Sequence, residues 1–290
     1  MSSTHPGTVL RNKVNERRGL MVAGAANALT ARLIEQLGFE AVYLTGAGIT
    51  NTFYGIPDLG FISLGDLVQH TSATRDAVEL PIIVDADTGF GSALNVRHTV
   101  RSLERAGANA IQIEDQMMPK KCGHFNGKAV IPAKEAASKI KAAVDARIND
   151  DFLIIARTDA RAVEGFDRAI ERAMLFIESG ADITFIEAPE SIDEINRIPG
   201  ALSVPQLVNV VIGGKTPTLD AAEFSCMGFG LVLYANAALQ GSLMGMTAAL
   251  THLRDSGRLD EDSGLVSPFA VRQKLVQKDM FDELDKLYGV

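Results

Sequence analysis

Apolar and polar positions along this chain repeat one unit. A helical pattern ends at glycine, and a short apolar run follows within a few residues. Glu35-Gln36-Leu37-Gly38 precedes Ala41-Val42-Tyr43-Leu44, and Glu104-Arg105-Ala106-Gly107 precedes Ala110-Ile111-Gln112-Ile113. The unit recurs at Glu178-Ser179-Gly180 before Ile183-Thr184-Phe185-Ile186, and at Cys226-Met227-Gly228 before Leu231-Val232-Leu233. Glycine suits the left-handed position that ends a helix. Nearly continuous apolar strands suit a parallel sheet covered on both faces. Further runs at 20–23, 81–84, 152–156 and 206–208 bring the predicted strands to eight, each followed by a segment of helical character such as 26–36 or 94–105. Eight such units in 290 residues predict an α/β fold of the (β/α)8 TIM-barrel class. A doubly wound open sheet is the alternative, but no Gly-x-Gly-x-x-Gly follows the first strand. No composition break divides the chain, so a single barrel domain over 1–290 is expected, with a C-terminal helical extension over about 236–290.

The residues just past each strand carry the polar chemistry. They include Thr45-Gly46-Ala47-Gly48, Asp85-Ala86-Asp87, Glu114-Asp115, Arg157-Thr158-Asp159, Glu187, Asn209 and Tyr234-Ala235-Asn236. In a barrel these gather on one rim, where active sites of this fold sit. Asp85, Asp87 and Glu114 offer hard oxygen ligands suited to Mg²⁺ or Mn²⁺. One cysteine and one histidine nearby are too few for a zinc set. Helix capping is the structural alternative for Asp87, which precedes Gly89 to Ser92. Arg157 supplies a planar fork for a substrate carboxylate or phosphonate, with a salt bridge to Asp159 or Glu187 as the alternative. Gly46 and Gly48 offer backbone amides to an anion.

Lys120-Lys121-Cys122-Gly123-His124 sets a thiol among two ammonium groups and an imidazole. Neighbouring cations favour the reactive thiolate; the alternative is a solvated basic turn that happens to contain a cysteine. The second thiol, Cys226, is expected on the core face of a helix. His5, His70, His98 and His252 read as structural or solvated.

A net charge of -8 argues against a general nucleic-acid or membrane surface. A local basic cluster or a metal ion still admits an anionic small molecule. With 47% hydrophobic and 22% charged residues the composition is that of a globular protein with a sizeable core. No apolar h-region opens the chain and no stretch reaches membrane-span length. Two well-separated cysteines fit reduced thiols, so a cytoplasmic location is expected.

Several of these motifs resemble the isocitrate lyase and phosphoenolpyruvate mutase superfamily. They are Val84-Asp85-Ala86-Asp87-Thr88-Gly89-Phe90-Gly91, Ile113-Glu114-Asp115-Gln116, the thiol loop, Ile155-Ala156-Arg157-Thr158-Asp159-Ala160 and Gly55-Ile56-Pro57-Asp58-Leu59-Gly60. The resemblance runs from about residue 6 to 244. The thiol loop marks its C–C bond lyases and is lacking in its phosphonate mutases. The resemblance implies a barrel with a swapped terminal helix, assembled as a homotetramer. It implies Mg²⁺ (or Mn²⁺) near Asp85 and Asp87, reached by Asp58 and Glu114 directly or through water. Thr45, Gly46, Ala47, Gly123, Arg157, Glu187 and Asn209 would surround a small carboxylate substrate. Cys122 would be the acid/base residue, with Lys121, His124 and Tyr43 as further catalytic candidates.

The implied reaction is retro-aldol or retro-Claisen cleavage of a 2-hydroxy dicarboxylate, resembling 2,3-dimethylmalate or 2-methylisocitrate, to a 2-oxo acid and a second carboxylate. Oxaloacetate hydrolysis on the same site and phosphonomutase-like chemistry are the alternatives within the superfamily. A Schiff-base aldolase using Lys120 or Lys121, and a non-catalytic carboxylate-binding barrel, lie outside it. Methylisocitrate lyases carry Asn-x-Thr after the seventh strand, where this chain has Asn209 followed by Gly213-Gly214-Lys215-Thr216-Pro217. Their arginine after the eighth strand aligns with Gln240. The Gly-Gly-Lys-Thr-Pro run is more similar to dimethylmalate lyase, the petal-death protein and oxaloacetate hydrolases.

Overall fold

The structure is a computed structural model and describes residues 5–121, 123 and 127–289. Eight parallel strands close into a barrel in sequence order: β1 Leu20–Ala25, β2 Val42–Leu44, β3 Ile82–Asp85, β4 Ala110–Glu114, β5 Leu153–Thr158, β6 Ile183–Ile186, β7 Gln206–Asn209 and β8 Leu231–Tyr234. β8 returns to pair with β1. The ring is therefore the TIM barrel that the repeat predicts, and no Rossmann-like open sheet forms. Strand ends differ from the sequence reading by one or two residues, because pairing continues into the polar rim, as Glu114 opposite Arg157 shows.

Side chains two apart along a strand share a face, and this alternation builds the site. Tyr43, Ile83, Ala110, Leu153, Ile155, Ile183, Phe185, Leu207, Leu231 and Leu233 fill the barrel interior. Val42, Leu44, Val84, Ile111, Ile113, Ile154 and Ala156 face the surrounding helices. Continuing the inward register one step brings Asp85 above Ile83, Glu114 above Gln112, Arg157 above Ile155, Glu187 above Phe185 and Asn209 above Leu207. An apolar plug thus carries a polar layer at the C-terminal mouth. Glycine closes several preceding helices with positive φ, including Gly38 at 84° and Gly180 at 98°.

The helix Ala237–Ser256 and the two that follow, Phe269–Leu275 and Lys278–Tyr288, contain no buried residue. Their exposed apolar side chains include Leu243, Met244, Leu250, Phe269, Phe281 and Leu287. Cys226 corrects the sequence reading: it is exposed on the helix Ala221–Met227, where Phe224 takes the core position. Among the described residues no helix is long and apolar enough to cross a membrane.

Gly24 on β1 is needed for a close approach. A Cβ there would lie 1.9 Å from the carbonyl oxygen of Ala235, just beyond β8. Gly24→Ala is expected to lower stability by about 1–3 kcal/mol or more, the cost of overpacking, with thermal unfolding as the measurement. An unchanged melting temperature would mean that the β1–β8 seam yields without cost.

Candidate active site

Lys120 stands at the centre of the mouth. Its ammonium lies 2.5 Å from Asp58 Oδ1 and 2.8 Å from Asp87 Oδ1, and its side chain is 3% exposed. Burial alone would lower its pKa, but Asp87, Glu114, Asp58 and Asp85 outweigh burial and hold it above the usual lysine value. Lys120 is therefore a fixed cation, the opposite of the neutral amine that Schiff-base chemistry needs. The sequence offers Lys120 only as a Schiff-base alternative and makes Lys121 a catalytic candidate. Lys121 instead donates to the Gly127 carbonyl at 2.9 Å, and its backbone is clasped on both sides by the Gln116 amide.

The carboxylates around Lys120 remain short of positive charge. Burial, reinforced by Asp85 and Asp58, pushes Asp87 up to about 7 despite Lys120. Asp85 and Glu114 are also raised, chiefly by burial, with Lys120 opposing the shift at Asp85 and Arg157 opposing it at Glu114. Glu114 Oε1 is buried with no hydrogen-bond partner among the described residues. Asp87 does not cap a helix: Ser92 and Asn95 form the capping box of Ala93–Arg105. Asp87 has φ of 45°, in the left-handed region that is strained for a non-glycine residue.

Asp58, Asp85, Asp87 and Glu114 form an all-oxygen donor set with unsatisfied capacity, which fits a hard divalent cation such as Mg²⁺. As they stand, no three His, Cys, Asp or Glu side chains among the described residues are gathered closely enough to hold a metal ion. The arrangement is one in which an ammonium and a cation would share the same carboxylates.

Arg157 is held from several sides. Its Nε and Nη2 donate to Asp159 at 2.9 and 3.1 Å, its Nη1 lies 3.2 Å from Glu187 Oε2, and its Nε lies 3.3 Å from Glu114 Oε2. The guanidinium carbon sits 5.3 Å from the Phe185 ring centre. Both salt bridges anticipated for Arg157 are present together. Behind it, Asp115 accepts from Thr158 Oγ1 at 2.6 Å and from the Asp159 amide at 2.9 Å, and it meets Arg172 at 3.3 Å.

The Tyr43 hydroxyl donates to Gln112 Oε1 at 3.0 Å, and Gln112 Nε2 reaches Asp85 Oδ1 at 3.3 Å. Burial, then Asp85, hold the Tyr43 phenol well above its usual pKa. The amides of Gly46 and Gly48 are not free for an anion, correcting the sequence reading. Gly46 faces Asp85 Oδ2 at 3.4 Å and Gly48 donates to Thr45 Oγ1 at 3.2 Å.

A cavity of about 60 Å³ opens between these groups. Asp58, Asp85, Glu114, Lys120, Lys121 and Arg157 make its charged side, with Tyr43, Thr45, Ala47, Gly123, Glu187 and Asn209 among its neighbours. Val211, Leu233, Ala235 and Asn236 complete the wall. Asn236, one of the expected rim residues, accepts from Thr45 Oγ1 at 3.3 Å. Gln240 does not line this cavity and is exposed on the helix Ala237–Ser256. Cys122 and His124 lie outside the described residues. Gln112 and Lys128 are groups not singled out in the sequence, whereas Asp159 is on the rim and beside Arg157 as expected. For Gln112 the signal was present, a polar residue on the inward register of an apolar strand.

Comparison with known proteins agrees with this geometry. The family model described as phosphoenolpyruvate phosphomutase matches residues 10–254. A 2-methylisocitrate lyase of Aeropyrum pernix is 48% identical over 252 residues, covering 87% of this chain and 81% of that protein. A 2,3-dimethylmalate lyase of Eubacterium barkeri is 44% identical over 246 residues, covering 85% of each. Among solved structures, a 2,3-dimethylmalate lyase superposes with a TM-score of 0.92 at 31% identity, over 99% of this chain and 96% of that one. An oxaloacetate acetylhydrolase holding 3,3-difluorooxalacetate gives 0.92 at 32%, over 98% and 97%. A phosphonopyruvate hydrolase holding oxalate and Mg²⁺ gives 0.88 at 28%, over 98% and 99%. The chain belongs to the phosphoenolpyruvate mutase/isocitrate lyase superfamily. Within it, the chain is a carbon–carbon lyase.

The network behind Arg157 is testable without substrate. Asp115→Ala would leave Arg172 and the Asp159 amide without their buried acceptor. It is expected to cost about 3–5 kcal/mol, as for removal of one partner of a buried ion pair, read by urea denaturation. A loss under 1 kcal/mol would mean that water replaces the carboxylate.

Proposed function

We propose that the chain cleaves an alkyl-substituted 2-hydroxy dicarboxylate, of the 2,3-dimethylmalate type, to a 2-oxo acid and a second carboxylate in a divalent-metal-dependent reaction. The observation that carries the reading is the asymmetry of the cavity. Among its lining residues the cations Lys120, Lys121 and Arg157 follow or end β4 and β5, whereas the apolar Val211, Leu233 and Ala235 follow or end β7 and β8 on the other part of the closed ring. One carboxylate and the hydroxyl suit the charged side, and an alkyl group suits the apolar wall. A tricarboxylate would set a further carboxylate against that wall, and a buried unpaired charge costs several kcal/mol.

Asp85 and Asp87, with Asp58 and Glu114, would hold Mg²⁺ or Mn²⁺. Such an ion supplies positive charge that lowers the pKa of a 2-hydroxyl and steadies the oxyanion of the oxo-acid half. Arg157 and the Thr45–Ala47 segment bind and orient the substrate, with Gly123, Glu187 and Asn209 around it. Tyr43, through Gln112, holds Asp85 in its orientation. Cys122 is the acid that protonates the carbanion of the leaving half, and Lys121 and His124 tune its thiol. A thiol with this duty must stay reduced, in keeping with the cytoplasm. The uncovered apolar face of the three C-terminal helices supports a homotetramer in which the extension of about 236–290 packs on a partner copy. The rest of the chain forms a single barrel domain.

Oxaloacetate hydrolysis is the second reading, favoured by the close superposition on oxaloacetate acetylhydrolase. Products separate the two: oxalate and acetate from hydrolysis, a 2-oxo acid from cleavage. Turnover of 2,3-dimethylmalate, 2-methylisocitrate and oxaloacetate at one Mg²⁺ concentration tests the proposal. We expect kcat/KM to favour 2,3-dimethylmalate over 2-methylisocitrate by at least about tenfold, the scale of one missing charged hydrogen bond. Preference for 2-methylisocitrate would mean that another cation serves the third carboxylate.

Cys122→Ser should lower kcat by at least about two orders of magnitude, as when a general acid is lost, while KM changes far less. Retention of most of the kcat would make the thiol a bystander. Sedimentation should find a tetramer for the intact chain and a smaller species when it is truncated after Ser256. A monomeric intact chain would end the assembly reading.

A further inference from the structure

Lys128 follows the thiol loop, yet its side chain is only 1% exposed. Its ammonium lies 2.8 Å from Asp159 Oδ1 and also donates to the Gly123 carbonyl. Asp159 is the carboxylate that grips Arg157 through both Nε and Nη2. Gly123 rests on the same guanidinium: a Cβ there would lie 2.5 Å from Arg157 Nη2 and 2.6 Å from Glu187 Cγ. One ammonium therefore touches both the acid behind the Arg157 fork and the backbone laid against it.

We infer that Lys128 is a positioning residue for substrate binding, fixing the Arg157 fork through Asp159 and through the Gly123 carbonyl. The inference rests on the proposed role of Arg157 as a ligand of the substrate carboxylate. The physical reason is competition for Asp159. With Lys128 in place, the fully buried Asp159 shares its charge between two cations. Without Lys128 that charge falls on Arg157 alone, drawing the fork toward Asp159 and away from a ligand, and Gly123 loses its tether. A displacement of about an ångström at such a group can cost about a hundredfold in rate.

The test uses the full-length enzyme with Mg²⁺ and oxalate as the probe, so that binding is read by calorimetry without turnover. Lys128→Gln is expected to raise the oxalate Kd at least about tenfold, comparable with Arg157→Lys, the scale of one charged hydrogen bond. Lys128→Arg, which restores the charge, should recover much of the loss. Asp159→Asn should also weaken binding, and adding Lys128→Gln to Asp159→Asn should cost little more, because both changes act on one linkage. This pair removes the buried charges together, so it decides the matter even where Lys128→Gln alone does not fold. A folded Lys128→Gln that binds oxalate like the wild type, beside an Arg157→Lys that does not, overturns the inference and leaves the Arg157 reading standing. Wild-type affinity in Asp159→Asn, or a full further loss in the double variant, overturns it too. Wild-type affinity in Arg157→Lys, or no oxalate binding by the wild type, overturns the Arg157 reading and the inference with it.

Discussion

Desolvated negative charge at the mouth of the barrel is the constraint on which the rest of the site depends. Asp58, Asp87, Glu114, Asp159 and Glu187 are buried there, with Asp85 beside them, against Lys120, Lys128 and Arg157. Charges removed from water are tolerated only when paired and hydrogen-bonded. The side toward Asp159 meets that condition: Arg157 and Lys128 overcome burial and hold its carboxyl below the usual range. The side toward Asp87 does not, and burial keeps its carboxyls raised in spite of Lys120. Positive charge therefore suffices around Asp159 and falls short around Asp85 and Asp87.

The barrel gives this imbalance its rigidity. Asp85, Arg157, Glu187 and Asn209 stand on inward apolar residues two positions earlier, and Glu114 stands on Gln112, so shifting a strand by one residue would turn the rim chemistry out toward the helices. Outside the barrel, Asp115 ties the β5 end to Arg172 on the helix Phe166–Glu178, and Arg172 is held in turn by Glu164 and the Ile131 carbonyl.

Strand positions were legible in the sequence because the helix–glycine–strand unit is local, and local chemistry specifies it. The rim acids were legible for the same reason, since each directly follows an apolar run. Lys120 and Lys128 were harder to read. A lysine side chain spans several ångströms, and its partners Asp58 and Asp159 lie 62 and 31 residues away in the chain. Nothing in the periodicity of either segment points to such a partner. Cys226 is exposed, against expectation, because the short helix has one core position and Phe224 takes it. The bonding of the Gly46 and Gly48 amides is not legible in the sequence, because one acceptor, Asp85, comes from another strand and the other is the N-cap Thr45.

The proposed metal dependence rests on the carboxylates around Lys120, whose charge is not balanced by cations of the chain. Turnover of 2,3-dimethylmalate after exhaustive chelation, then with Mg²⁺ or Mn²⁺ restored, tests it most directly. Activity should vanish on chelation and return with either ion, and Asp87→Ala should stay inactive at any metal concentration while remaining folded. Full turnover in excess chelator would contradict the account.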